Sequence, residues 1–183
     1  MERIIDSIPL LKIRKWYDYD VQMLFRILYW CALRPMEAIE LEKKDFNFTN
    51  RTISLHQTKT KKNDIALIPV RFSPQLKNYV ISKEEGRLFE GLTYHAFYTW
   101  LKRLGKMLEI ESWVTPQLET GEKTVGHIFR KSIGKAMVYG EITDDKGNNF
   151  KIPTISKHLR HKKPSMTEDN YLKANISQVA EIF

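Results

Sequence analysis

The sequence predicts a mainly α-helical fold carrying a small three-stranded antiparallel β-sheet, an α+β arrangement. Three observations support this. Apolar residues recur every three or four positions over residues 19–33, β-branched and apolar stretches within residues 45–70 are broken by two polar turns, and the chain beyond returns to helical spacing. The 183 residues suffice for one well-filled core, and 42% hydrophobic with 28% charged residues is an ordinary globular composition. No repeat, low-complexity tract or Pro/Gly/Ser linker divides the chain, so residues 1–183 are expected to form a single domain.

The elements follow in order. Val21, Leu24, Phe25, Leu28, Tyr29 and Ala32 share one helical face, which predicts a core-facing helix from Tyr19 to about Leu33. Pro35 is suited to the first position of a new helix, "PMEAIELEKK", because its missing N–H would have no partner there anyway. In "DFNFTNRTISLHQTKTKKNDIALIPV", breaks at "TNR" and at the basic "KTKKND" separate three short strands. Helices are then expected over "SPQLKNYVISK", "TYHAFYTWLKRLGKML" (with Phe97, Trp100, Leu101 and Leu104 inward), "VGHIFRKSIGKAMV", "PTISKHLRH" and "SMTEDNYLKA". The Asp-Lys-Gly-Asn-Asn centre of "YGEITDDKGNNFK" marks an inserted hairpin or loop within residues 140–151.

Lys and Arg number 30 against 22 Asp and Glu, a formal charge of +8, which favours an anionic partner, nucleic acid before membrane. Cys31 is the only cysteine, so the chain forms no internal disulfide and no thiolate metal cluster, and a reducing, cytoplasmic setting is expected. No run approaches the roughly 18 apolar residues of a membrane span. The opening "MERIIDSIPL" lacks the pattern of a secretory signal.

Four places combine cationic or nucleophilic groups beyond what a core needs: Arg34 at a helix junction, Lys59 in the basic turn, His127 with Arg130, and His161 followed by Tyr171. His127 and Arg130 are three residues apart and so project from one helical face. Two arginines, a lysine and two histidines converging on one point would bind a tetrahedral anion, since guanidinium forks grip phosphate oxygens in pairs.

These residues, in this order, resemble the tyrosine recombinases, also called phage integrases. That family places an Arg in a "GLRxSEL"-like segment, a β-hairpin Lys, a His-x-x-Arg, an "LGH"-type histidine or tryptophan and a tyrosine nucleophile. The matching segments are "ALRPMEA" for Arg34, "QTKTKK" for Lys59, "HIFR" for His127 and Arg130, "LRH" for His161 and "EDNYLKA" for Tyr171. The chain departs from the pattern at Arg160, where the family usually has glycine, and in a longer segment between Arg130 and His161.

The resemblance implies the fold of a tyrosine-recombinase catalytic domain, of the DNA breaking-rejoining type, without the family's N-terminal core-binding domain. It implies a site-specific recombinase or integrase of a virus or other mobile element. Such an enzyme cleaves and rejoins double-stranded DNA through a 3′-phosphotyrosyl intermediate, with no cofactor, metal or ATP. In the roles it implies, Arg34 and Arg130 neutralise the phosphate, Lys59 protonates the leaving oxygen and His127 accepts the tyrosine proton. His161 hydrogen-bonds a non-bridging oxygen, Tyr171 attacks, and Glu37 braces Arg34. Self-assembly as a dimer or tetramer on DNA is also implied.

Each residue also has a plainer reading. Arg34 and Glu37 suit an ion pair at a helix start, Lys61 or Lys62 could serve in place of Lys59, and Tyr171 suits a core aromatic. His158 and His161 have a spacing compatible with two metal ligands, without an evident third. His56 and His95 have no role assigned, and Trp30, Trp100 and Trp113 suit a core. The tail after Tyr171 carries Ile176, Val179, Ile182 and Phe183 at helical spacing. It suits a helix folded on its own core and, equally, a segment (172–183) docking into a neighbouring protomer. Two other functions use the same residues: a type IB topoisomerase-like nicking and resealing enzyme, and a DNA-binding module without catalysis.

Overall fold

The structure, a computed structural model, describes residues 2–13, 16–56, 64–110 and 127–171. They fall into two compact units, Met1–Phe129 and Arg130–Phe183.

The first unit opens with a short helix α1 (Glu2–Asp6) and a 3₁₀ turn (Ile8–Leu11). Ile4, Ile5, Ile8 and Leu11 are buried, although these elements are too short to show a period in the sequence. Helix α2 (Asp18–Trp30) is the central support, with Val21, Leu24, Phe25 and Leu28 all buried as their spacing predicts. The Phe25 ring meets Phe97 and Phe129 edge-on, at centroid distances of 5.7 and 5.1 Å. Each fully buried phenylalanine contributes about 2–3 kcal/mol through area removed from water, so this cluster is a main source of the unit's stability.

Helix α2 stops three residues before the predicted end because Ala32 takes a left-handed conformation (φ 51°) and turns the chain. Pro35 then starts α3 (Pro35–Ile39). A 3₁₀ turn (Lys43–Asp45) leads into the sheet of β1 (Phe46–Asn47), β2 (Thr52–Leu55) and β3 (Asp64–Leu67), antiparallel in the order β1-β2-β3. Pairing runs from Thr52 opposite Leu67 to Leu55 opposite Asp64, with Ile53, Leu55 and Ala66 buried. Residues 57–63, where the sequence predicts a basic turn carrying Lys59 between β2 and β3, lie outside the described residues.

Helices α4 (Ser73–Ile81) and α5 (Tyr94–Met107) follow among the described residues of this unit, with Phe97, Trp100, Leu101 and Leu104 buried on α5. Trp113 lies outside the described residues. Asp20, buried in the first turn of α2, accepts hydrogen bonds from Tyr79 Oη (2.9 Å) and from Lys83 Nζ. Burial first, and then the Asp20 charge, push the Tyr79 phenol far above its ordinary pKa, so it stays protonated and donates to Asp20. Asp20→Ala is expected to cost about 2–4 kcal/mol in urea unfolding, because it strands a buried hydroxyl and a half-buried ammonium together.

In the second unit, the greater part of α6 (His127–Val138) is followed by α7 (Ile152–His158) and α8 (Ser165–Tyr171). Ile133, Ala136, Met137, Ile155 and Leu159 form its core. The insertion between α6 and α7 is a loop rather than a hairpin. Asp144 closes it by accepting the N–H groups of Lys146 (2.9 Å) and Asn148 (2.8 Å), and Gly147 supplies a left-handed turn (φ 80°). No described helix is long and apolar enough to cross a membrane.

Candidate active site

Arg34 is the N-cap residue of α3, extended at φ −78° and ψ 152°. Glu37, one turn along, uses both carboxylate oxygens on it. Oε2 accepts the Arg34 backbone N–H and Oε1 accepts Nη1, each at 2.7 Å. The Glu37 side chain is only 4% exposed while that of Arg34 is 47% exposed, so a buried acid anchors a guanidinium that still faces outward. A second shell of this kind limits the rotamers open to the group it holds.

At the far end of β2, His56 Nε2 lies 2.6 Å from Asp45 Oδ1, a pairing that the sequence did not suggest. Asp45 also accepts the Glu42 N–H at 2.9 Å, which ties the strand end to the preceding 3₁₀ turn. The eleven residues separating His56 from Asp45 put the pair beyond any local spacing rule.

The described part of helix α6 carries His127 and, one turn later, Arg130, with His127 half-buried and Arg130 buried. Arg130, His161 and Tyr171 all belong to the second unit. Tyr171, on α8, is 4% exposed, and its ring packs against α6 at Gly134, one turn past Arg130. Burial raises the pKa of its phenol, while the Arg130 charge pulls the other way. The hydroxyl therefore sits protonated in the field of a buried cation.

His161 reaches the same place through the end of α7. The His161 N–H bonds the Ser156 carbonyl (3.0 Å) and the Arg160 N–H bonds that of Lys157 (3.1 Å), a Schellman closure with Arg160 in the left-handed conformation (φ 52°). Both positions where the "GLR" and "LGH" patterns carry glycine, Ala32 and Arg160, are thus left-handed here. The chain meets that backbone demand without glycine, at a cost of about 1–2 kcal/mol each.

The His161 ring lies nearly parallel to that of Tyr171, 9° between planes and 6.4 Å between centroids. Its Nδ1 is hydrogen-bonded to Thr167 Oγ1 at 2.8 Å, and Thr167 is fully buried on α8, one turn before Tyr171. Sequence reasoning passed over Thr167, and only its four-residue offset from Tyr171 could have drawn attention to it. Thr167→Val should lower the rate of any chemistry at Tyr171 about tenfold, and Thr167→Ser should restore it, because the loss is of one orienting hydrogen bond.

Lys59, with its alternatives Lys61 and Lys62, and the tail 172–183 lie outside the described residues. Among the described residues no three His, Cys, Asp or Glu side chains are grouped to hold a metal ion, and His158 is buried.

The sequence profile of the phage integrase family matches residues 2–178. The chain belongs to that family. Among curated relatives, the tyrosine recombinase XerA of Saccharolobus solfataricus is 28% identical over 145 residues, covering 70% of this chain and 48% of the relative. The XerH site-specific recombinase, solved in a post-cleavage complex with its difH substrate, superposes with a TM-score of 0.61 at 21% identity, over 99% of this chain and 50% of that one. The catalytic domain of bacteriophage HP1 integrase gives 0.58 at 23% identity, over 93% of this chain and 84% of that one. The phage integrase chain described here therefore has the fold of a tyrosine-recombinase catalytic domain and spans about half the length of the XerA and XerH relatives.

Proposed function

We propose that the chain is the catalytic domain of a site-specific DNA recombinase that cleaves and rejoins strands through Tyr171. The observation that carries this reading is the position of the Tyr171 phenol, packed on α6 one turn past Arg130 and beside the ring of His161. Membership of the phage integrase family supports it.

In this mechanism the Tyr171 oxygen attacks a backbone phosphorus of double-stranded DNA. The P–O5′ bond breaks, a 3′-phosphotyrosyl ester forms, and a 5′-hydroxyl leaves. The ester conserves the energy of the broken bond, so the reverse attack by a 5′-hydroxyl reseals the strand without ATP. A protonated phenol is a poor nucleophile, and His127 takes its proton. Arg34 and Arg130 bind the non-bridging oxygens, whose charge grows toward the transition state, and His161 donates to one of them. Lys59, or Lys61 or Lys62 in its place, protonates the departing 5′-oxygen.

The partner is double-stranded DNA, in keeping with the formal charge of +8. Exchange between two duplexes needs several copies, so the protein is proposed to assemble as a dimer or tetramer on DNA, with residues 172–183 as the candidate docking segment. The deciding experiment uses a nicked suicide duplex with EDTA present, read on a denaturing gel. A protein–DNA adduct supports the reading, and intact binding with no adduct on several sequences favours a binding module.

A further inference from the structure

Glycine inside a helix is a destabilising choice relative to alanine, so a buried helical glycine calls for a packing reason. Gly134 lies within α6, four residues after Arg130 and on the same side of the helix. A β-carbon there would lie 2.6 Å from Tyr171 Cζ and 2.7 Å from Tyr171 Oη, and 3.1 Å from Leu159 Cδ1. Carbon atoms in contact stand about 3.5–4.0 Å apart, so the space that a side chain would need is occupied by the tip of the phenol. Burial limits any retreat, because Tyr171 is only 4% exposed. The His161 ring runs parallel to that of Tyr171, and the Tyr139 hydroxyl reaches the Tyr171 carbonyl at 3.4 Å.

We propose that Gly134 is a positioning residue for the nucleophile: its missing β-carbon lets the Tyr171 ring seat on α6 with its hydroxyl one helical turn from Arg130. This rests on the reading of Tyr171 as nucleophile. Alanine at 134 would push the ring outward by roughly an ångström, and a misplacement of that size costs about 10²-fold in rate.

The test compares wild type with Gly134→Ala in single-turnover adduct formation at saturating suicide duplex, alongside DNA affinity. The expected result is a loss of about 10²-fold in rate with affinity within about twofold. A folded Gly134→Ala protein that forms adduct at the wild-type rate overturns the proposal. A stability cycle covers the case in which this variant folds poorly. Gly134→Ala should lower the urea midpoint when Tyr171 is present, and leave it unchanged or raise it in a Tyr171→Ala background, where alanine's helix preference acts unopposed. Equal losses in both backgrounds overturn the proposal. Adduct persisting in Tyr171→Phe would instead sink Tyr171 as nucleophile while the cycle still reported the contact, so the two failures are distinguishable.

Discussion

Tyr171→Phe is expected to bind DNA as wild type does and to form no covalent adduct at all. The substitution removes one oxygen and leaves the ring to fill its seat against Gly134 and Leu159, so the fold should change by no more than about 1 kcal/mol. Covalent catalysis has no substitute path through a phenyl ring, so the loss is complete rather than graded. The wild-type phenol is held protonated by burial, so adduct formation should depend on a base that removes its proton. The check is a denaturing gel of both proteins with the nicked duplex in EDTA, and a gel-stable adduct in the Phe variant would reassign the nucleophile.

Loss of either arginine should lower cleavage about 10³-fold or more while DNA affinity falls less than about tenfold, because charge on the phosphoryl oxygens is greater in the transition state than in the bound substrate. The two sites should differ in stability. Arg34 is half-exposed, but Arg34→Ala leaves the buried Glu37 carboxylate without its guanidinium, at a cost of about 1–3 kcal/mol. Arg130 is buried, so Arg130→Lys is the cleaner probe: it keeps the charge and loses the planar fork. Single-turnover cleavage and equilibrium binding measured on the same duplex separate the two effects. Equal losses in both would reduce the arginines to phosphate positioning.

The parts of the site legible in the sequence are those set by short spacing. Arg34 and Glu37 are three apart at a helix start, so their contact follows from helical geometry once Pro35 places that start. The same rule puts His127 and Arg130 on one face of α6. The buried positions of α2 and α5 could be read for a related reason, since a helix with one apolar face has only one way to bury it. Less was visible where the signal is conformational. The left-handed turn at Ala32 carries no glycine to announce it, and it ends α2 at Trp30 rather than near Leu33.

By itself, then, the sequence determined the order and type of the main described elements from α2 onward, though not α1, the two 3₁₀ turns or the early end of α3, together with the support of Arg34 by Glu37 and the series of cationic groups leading to a tyrosine. Tertiary structure alone decided that Asp20 meets Tyr79 and Lys83, that His161 turns to Thr167, and that the Tyr171 ring takes the space beside Gly134. The reason is physical. Contacts within one helical turn follow from a fixed period of 3.6 residues, whereas contacts between helices depend on which side chains are missing as much as on which are present. A glycine in a sequence names no partner until a second helix fills the room it leaves.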